Sequence, residues 1–113
     1  MPTGKDLALA WTCLIAAGLF EIGWPIGLKW AQTPGKLITG IIVAVVAMAI
    51  SGILLYLAQR DIPIGTAYAV WTGIGAVGTF MVGVWFFGDA GSVGRWLGAA
   101  LIIGGVVTLR LAH

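Results

Sequence analysis

"YAVWTGIGAVG", residues 68–78, carries Gly73, Gly75 and Gly78 in the spacing G-x-G-x-x-G. Two folds compete for this stretch. Following a short strand and opening a helix, such glycines cradle a pyrophosphate, and an acid about 20 residues further on holds the ribose. Here they sit inside a run with no charged residue between Asp61 and Asp89, no alternating strand precedes them, and the next acid, Asp89, lies in a loop. A charge-free apolar run of this length matches the roughly 20 residues needed to cross hydrocarbon. The nucleotide reading fails on context, and the glycines belong to a helix in a bilayer.

The same pattern recurs on both sides of this stretch. Between Asp6 and Lys29 the only acid or base is Glu21; between Lys36 and Arg60 there is none, and none lies between Arg95 and Arg110. Four spans are expected, at about residues 7–30, 37–59, 64–87 and 93–111. Composition agrees: 60% of the residues are hydrophobic and 9% charged, against about a quarter charged in soluble domains, and the mean hydropathy is +1.06. The fold class is therefore an all-α membrane protein, with residues 1–113 forming a single domain of four transmembrane helices. The first span is much longer than the h-region of a secretory signal, and its small residues Ala8 and Ala10 lie at its start, so it is read as a retained helix.

The connections "AQTPGK", "QRDIPIG" and "GDAGSVGR" are short, which makes consecutive helices antiparallel neighbours in an up-down-up-down bundle. Pro34 and Pro63 are expected in the first turns of the second and third helices, with Thr33 and Asp61 as polar caps, and Ser92 is a candidate cap for the fourth. Cys13 is the only cysteine; it forms no intrachain disulfide and reads as a packing residue. A net charge of +2 from scattered basic residues does not point to nucleic acid.

Basic residues near helix ends set membrane orientation. Lys5, Arg60 and Arg110 fall on one side of a four-span chain, and Lys29, Lys36 and Arg95 on the other. With three against three, the orientation rule has nothing to act on. Insertion in both directions is expected, and two oppositely inserted copies can pair about an axis in the membrane plane.

Glu21 lies near the middle of the first span with no basic residue beside it. An acid at that depth is costly and points to a functional interior or a water-filled cavity. It can hold a proton or a cation, which is what exchange of one for the other requires; the structural alternative is a permanently protonated acid bonded to a neighbouring helix. Gly18, Glu21 and Trp24 follow at i, i+3 and i+6, with Ala17 one turn before Glu21, so small residues open room beside the acid and the indole. Pro25 removes the N–H that would bond the Glu21 carbonyl, leaving a binding group or a packing kink. Tyr68, Trp71, Gly75 and Gly78 share one face of the third helix. Their hydroxyl and indole N–H can hold a carboxylate and their rings can line a cation path, although an interfacial aromatic belt uses the same residues. Ser51 can bond Glu21 or a carbonyl of its own helix. Gly94 and Gly98 make a close-approach pattern in the fourth helix, suited to helix pairing.

"GLFEIGWPIGLKW" together with "PIGTAYAVWTGIGAVG" resembles the small multidrug resistance family and, within it, the guanidinium exporter subgroup. The acid-x-x-Trp pattern ending in Leu28-Lys29 favours that subgroup over exporters of polyaromatic drugs. The resemblance implies an antiparallel, dual-topology homodimer in the bacterial inner membrane that exchanges guanidinium and small guanidinyl compounds for protons. It implies Glu21 as the shared substrate and proton site, lined by Trp24, Ser51, Tyr68 and Trp71; Gly73, Gly75 and Gly78 as the bending point of the third helix; and Gly98, Leu101, Ile102 and Gly105 as dimer contact. Pro25 departs from the family pattern, where a small residue is more usual. The partners implied are guanidinium, protons, membrane lipid and a second copy, with no cofactor, metal or enzymatic reaction. The rival functions are export of quaternary ammonium cations and a structural or assembly subunit without transport. A dual-topology anion channel would need deep cationic or amide donors, and the chain has no asparagine and only an acid at depth.

Overall fold

The computed structural model describes residues 2–112. Four helices follow one another: α1 (Gly4–Ala31), α2 (Leu37–Gln59), α3 (Ile64–Phe86) and α4 (Val93–Ala112). All four are long and apolar enough to cross a membrane. α1 begins three residues before the expected start because Thr3 and Asp6 form a reciprocal capping box: Thr3 Oγ1 accepts from the Asp6 N–H at 3.1 Å, and the Asp6 carboxylate accepts from the Thr3 N–H at 3.0 Å. These two bonds satisfy groups that any helix start leaves open. Pro25 lies inside α1, which continues through it.

Two of the expected caps are not formed. After α1 the chain turns at Pro34 and Gly35, the latter at φ 80°, so α2 cannot start until Lys36 has passed, and no side chain caps it. The Lys36 N–H instead donates to the Thr33 carbonyl at 3.0 Å, closing the turn. Pro63 stands just before α3 with extended backbone (φ −54°, ψ 140°), and no side chain caps that helix either. The N–H groups of Asp61 and Ile62 continue the α2 ladder to the Ala58 carbonyl, which holds Asp61 at the end of α2 and away from the α3 start. Ser92 does cap α4, its Oγ accepting from the Arg95 N–H at 3.3 Å. Past α3, Gly88 takes φ 73° and the Asp89 N–H returns to the Gly83 carbonyl at 3.0 Å.

α1 packs most extensively on α2 and next on α3, while α4 packs chiefly on α3. Bare backbone permits the α1–α2 crossing: a Cβ on Gly27 would lie 2.6 Å from the Ala44 nitrogen and 2.8 Å from the Gly40 carbonyl oxygen. This is the close approach that small residues allow between membrane helices. One apolar cluster ties α1 (Ala10, Trp11, Leu14), the end of α2 (Ala58, Ile62) and the start of α3 (Ala67, Val70) together, with Cys13 partly buried against it. The Arg110 guanidinium lies 4.8 Å from the centre of the Trp11 ring, a cation–π contact that pins the end of α4 to α1.

The molecule is a slab of 51 × 34 × 18 Å. Eighteen ångström is less than two helix diameters, so each span keeps much of its surface uncovered. α4 is the extreme case, with Ala99 its only buried residue.

Candidate functional site

The site is assembled where α1, α2 and α3 meet. From α1, helical spacing brings Trp24 back over Glu21, and the indole Nε1–H donates to Oε1 of the carboxylate. From α2 comes Ser51, completely buried, whose hydroxyl lies 2.7 Å from the Ala17 carbonyl oxygen and 3.5 Å from Glu21 Oε2. From α3, the Trp71 Nε1–H donates to Ser51 Oγ at 2.8 Å. A serine hydroxyl has one proton and two lone pairs. In this arrangement the proton goes to the nearer acceptor, Ala17, and Trp71 fills one lone pair, which leaves the second facing the glutamate.

Gly75 is the seat for the acid. A Cβ at that position would lie 2.6 Å from Glu21 Cγ and 3.1 Å from its Cβ, so the glutamate stem rests on α3 backbone. Gly78, one turn on, receives Ile22 in the same way. Gly73 points elsewhere: a Cβ there would meet Val106 and Ile102 of α4 at 2.7 and 3.2 Å. The three glycines thus serve two interfaces, one toward α1 and one toward α4, and α3 runs unbroken through them.

A cavity of about 470 Å³ opens between α1 and α3, lined by Glu21, Trp24 and Pro25 on one side and by Tyr68, Trp71, Thr72, Gly75, Ala76 and Thr79 on the other. Tyr68 differs from the expectation that its hydroxyl reaches the carboxylate. Its ring packs on Trp71 with centroids 5.5 Å apart at 54°, the residue is 56% exposed, and its hydroxyl has no hydrogen bond among the described residues. Its position near the start of α3, more than one turn before the level of Glu21, accounts for this. Thr72, Ala76 and Thr79 were not singled out by the sequence reading. The signal was present, because 68, 72, 75 and 79 continue one helical stripe, but hydroxyls among glycines and alanines stand out less than an acid.

The four residues expected at a dimer contact lie apart from this cavity on α4. Leu101 is largely exposed, and a Cβ on Gly98 or Gly105 would meet nothing within 4 Å. Ile102 divides its surface, touching the Gly73 position of α3 while remaining partly exposed.

Four apolar spans that enclose a single acid, held by an indole beside a cavity open between helices, define a class: small multi-pass membrane proteins. Residues 9–102 match the Small Multidrug Resistance protein family, and the chain belongs to that family. It is 48% identical over 104 residues, 92% of this chain and 99% of the relative, to a protein of Yersinia pseudotuberculosis named guanidinium exporter. Relatives of the same name from Citrobacter freundii and Salmonella typhimurium are 43% and 42% identical, each across 92% of this chain and 98% of their own length.

Proposed function

We propose that the protein exports guanidinium in exchange for protons, across the bacterial inner membrane, as an antiparallel dimer that alternates the side to which its site opens. The observation that carries this reading is the Glu21 carboxylate, held by Trp24 and facing the 470 Å³ cavity with Ser51 behind it. The names of the relatives supply the substrate. Guanidinium is planar and permanently charged and offers paired N–H groups that match a carboxylate bidentately. A protonated Glu21 can donate to the open lone pair of Ser51, so the same carboxyl serves either occupant and the two compete.

Support for a second copy comes from α4 and from the slab shape. α4 leaves most of its apolar surface uncovered, and one face of the chain exposes the cavity. The even split of basic residues permits the partner to insert the other way up. Two Glu21 groups facing one space can together exchange two protons for one cation, moving one net charge inward.

Purified protein in liposomes with an imposed pH gradient tests this. Guanidinium uptake that dissipates the gradient, with tetraethylammonium inactive, supports the proposal. Preference for tetraethylammonium assigns the chain to quaternary ammonium export, and absence of any flux assigns it a structural role.

A further inference from the structure

Two cavities meet at Pro25. The Glu21 chamber and a smaller one of about 180 Å³ share Pro25 and Thr79 as wall residues. The smaller chamber extends between the C-terminal ends of α1 and α3 to Lys29 and Asp89. Lys29 is eight residues beyond Glu21, about 12 Å along a helix, so this chamber leads from the acid toward the membrane boundary.

Thr79, at the junction, differs from two other threonines of the bundle. Thr12 and Thr108 return their hydroxyls to the carbonyls four residues back, Ala8 and Gly104, at 2.8 and 2.7 Å, as helical threonines commonly do. The Thr79 Oγ1 is shielded from solvent and has no hydrogen-bond partner among the described residues. A buried hydroxyl without a partner is unfavourable and calls for one. On the opposite wall stands Pro25, which has no N–H to offer the preceding turn of α1. The junction therefore presents one hydroxyl oxygen that has no hydrogen-bond partner among the described residues. Lys29 and Asp89 give the smaller chamber one charge of each sign, so an arriving cation is not trapped there.

Building on the guanidinium reading above, we propose that Thr79 is a substrate ligand at the neck between the two chambers, its Oγ1 accepting an N–H of guanidinium as the ion passes between Glu21 and the Asp89 end. An ion with N–H groups satisfies this oxygen, whereas an ion without them does not. Thr79 thus selects for N–H donors in addition to charge.

The test measures guanidinium and hexamethylguanidinium flux in proteoliposomes for wild type, Thr79→Val and Thr79→Ser. Valine keeps the shape and removes the acceptor; serine keeps the acceptor. The expected result is a guanidinium kcat/KM about tenfold lower for Thr79→Val, reduced discrimination against hexamethylguanidinium, and restoration of both by Thr79→Ser. Wild-type kinetics and discrimination in Thr79→Val overturn the role of Thr79 alone. Equal losses in both variants with discrimination unchanged also overturn it, since they show a packing role. Wild-type protein that moves no guanidinium overturns the functional reading together with this proposal.

Discussion

The stem of Glu21 rests on the bare backbone of Gly75: a Cβ there would come within 2.6 Å of Glu21 Cγ. The acid from α1 and the glycine of α3 are therefore one fitting, and the carboxylate is placed by what α3 lacks. Gly75→Ala is expected to push the glutamate off its seat and lower guanidinium flux at least about tenfold, the effect of misplacing a binding group by about 1 Å. Gly65→Ala, where a Cβ meets nothing within 4 Å, is the control. Unchanged flux in Gly75→Ala would show that Glu21 does not depend on this contact.

Ser51 joins three helices through the Ala17 carbonyl, the Trp71 indole and Glu21. Ser51→Ala leaves the part-buried Trp71 indole N–H without its acceptor, at a cost of about 1–3 kcal/mol. Thermal unfolding in detergent should shift down accordingly, and tryptophan fluorescence should change as Trp71 loses its acceptor. An unaltered melting temperature would remove Ser51 from the framework of the site.

The α1–α2 crossing tolerates no side chain at Gly27 or Gly40. Because the neighbouring atoms are backbone, they cannot swing aside as a flexible side chain would. Gly27→Val is expected to destabilise by roughly 1–3 kcal/mol or to prevent folding, the usual result of overpacking. Gly52→Val on the open face of α2, where a Cβ meets nothing within 4 Å, should be near neutral in the same melting assay.

Arg110 serves two purposes at once. Its guanidinium covers Trp11 at 4.8 Å, and it is one of three basic residues balanced against three. Arg110→Ala should cost about 0.5–2 kcal/mol from the lost cation–π contact and change the balance to two against three. Paired C-terminal reporters, one active in the cytoplasm and one outside, should then show a shift toward C-terminus out relative to the unsubstituted protein, because the more basic side stays in the cytoplasm. A single fixed orientation in the unsubstituted protein would contradict dual insertion.

The number of helices and their spans were legible in charge spacing alone, because a bilayer excludes charge over a fixed length and Lys36, Arg60, Asp61 and Asp89 mark the limits. Glu21 stood out for the same reason. Helix starts were harder to read. Thr33 and Asp61 have the chemistry of caps, but Gly35 and the run-on of α2 to Ile62 give their backbones other work. The different fates of Gly73 and Gly75 were not readable either. Both are small residues of one motif, and only the packing of α1 and α4 on opposite sides of α3 separates them.

The most direct measurement is substrate-coupled proton movement by wild type and Glu21→Gln in sealed liposomes. Glutamine keeps the size and the hydrogen-bonding reach of the residue at position 21 but can neither take up a proton nor balance a cation. Wild type should acidify or alkalinise the lumen according to the direction of an imposed guanidinium gradient, and Glu21→Gln should do neither while retaining its fold. Guanidinium-driven proton flux in Glu21→Gln at the wild-type rate would contradict the assignment of Glu21 as the shared site for cation and proton.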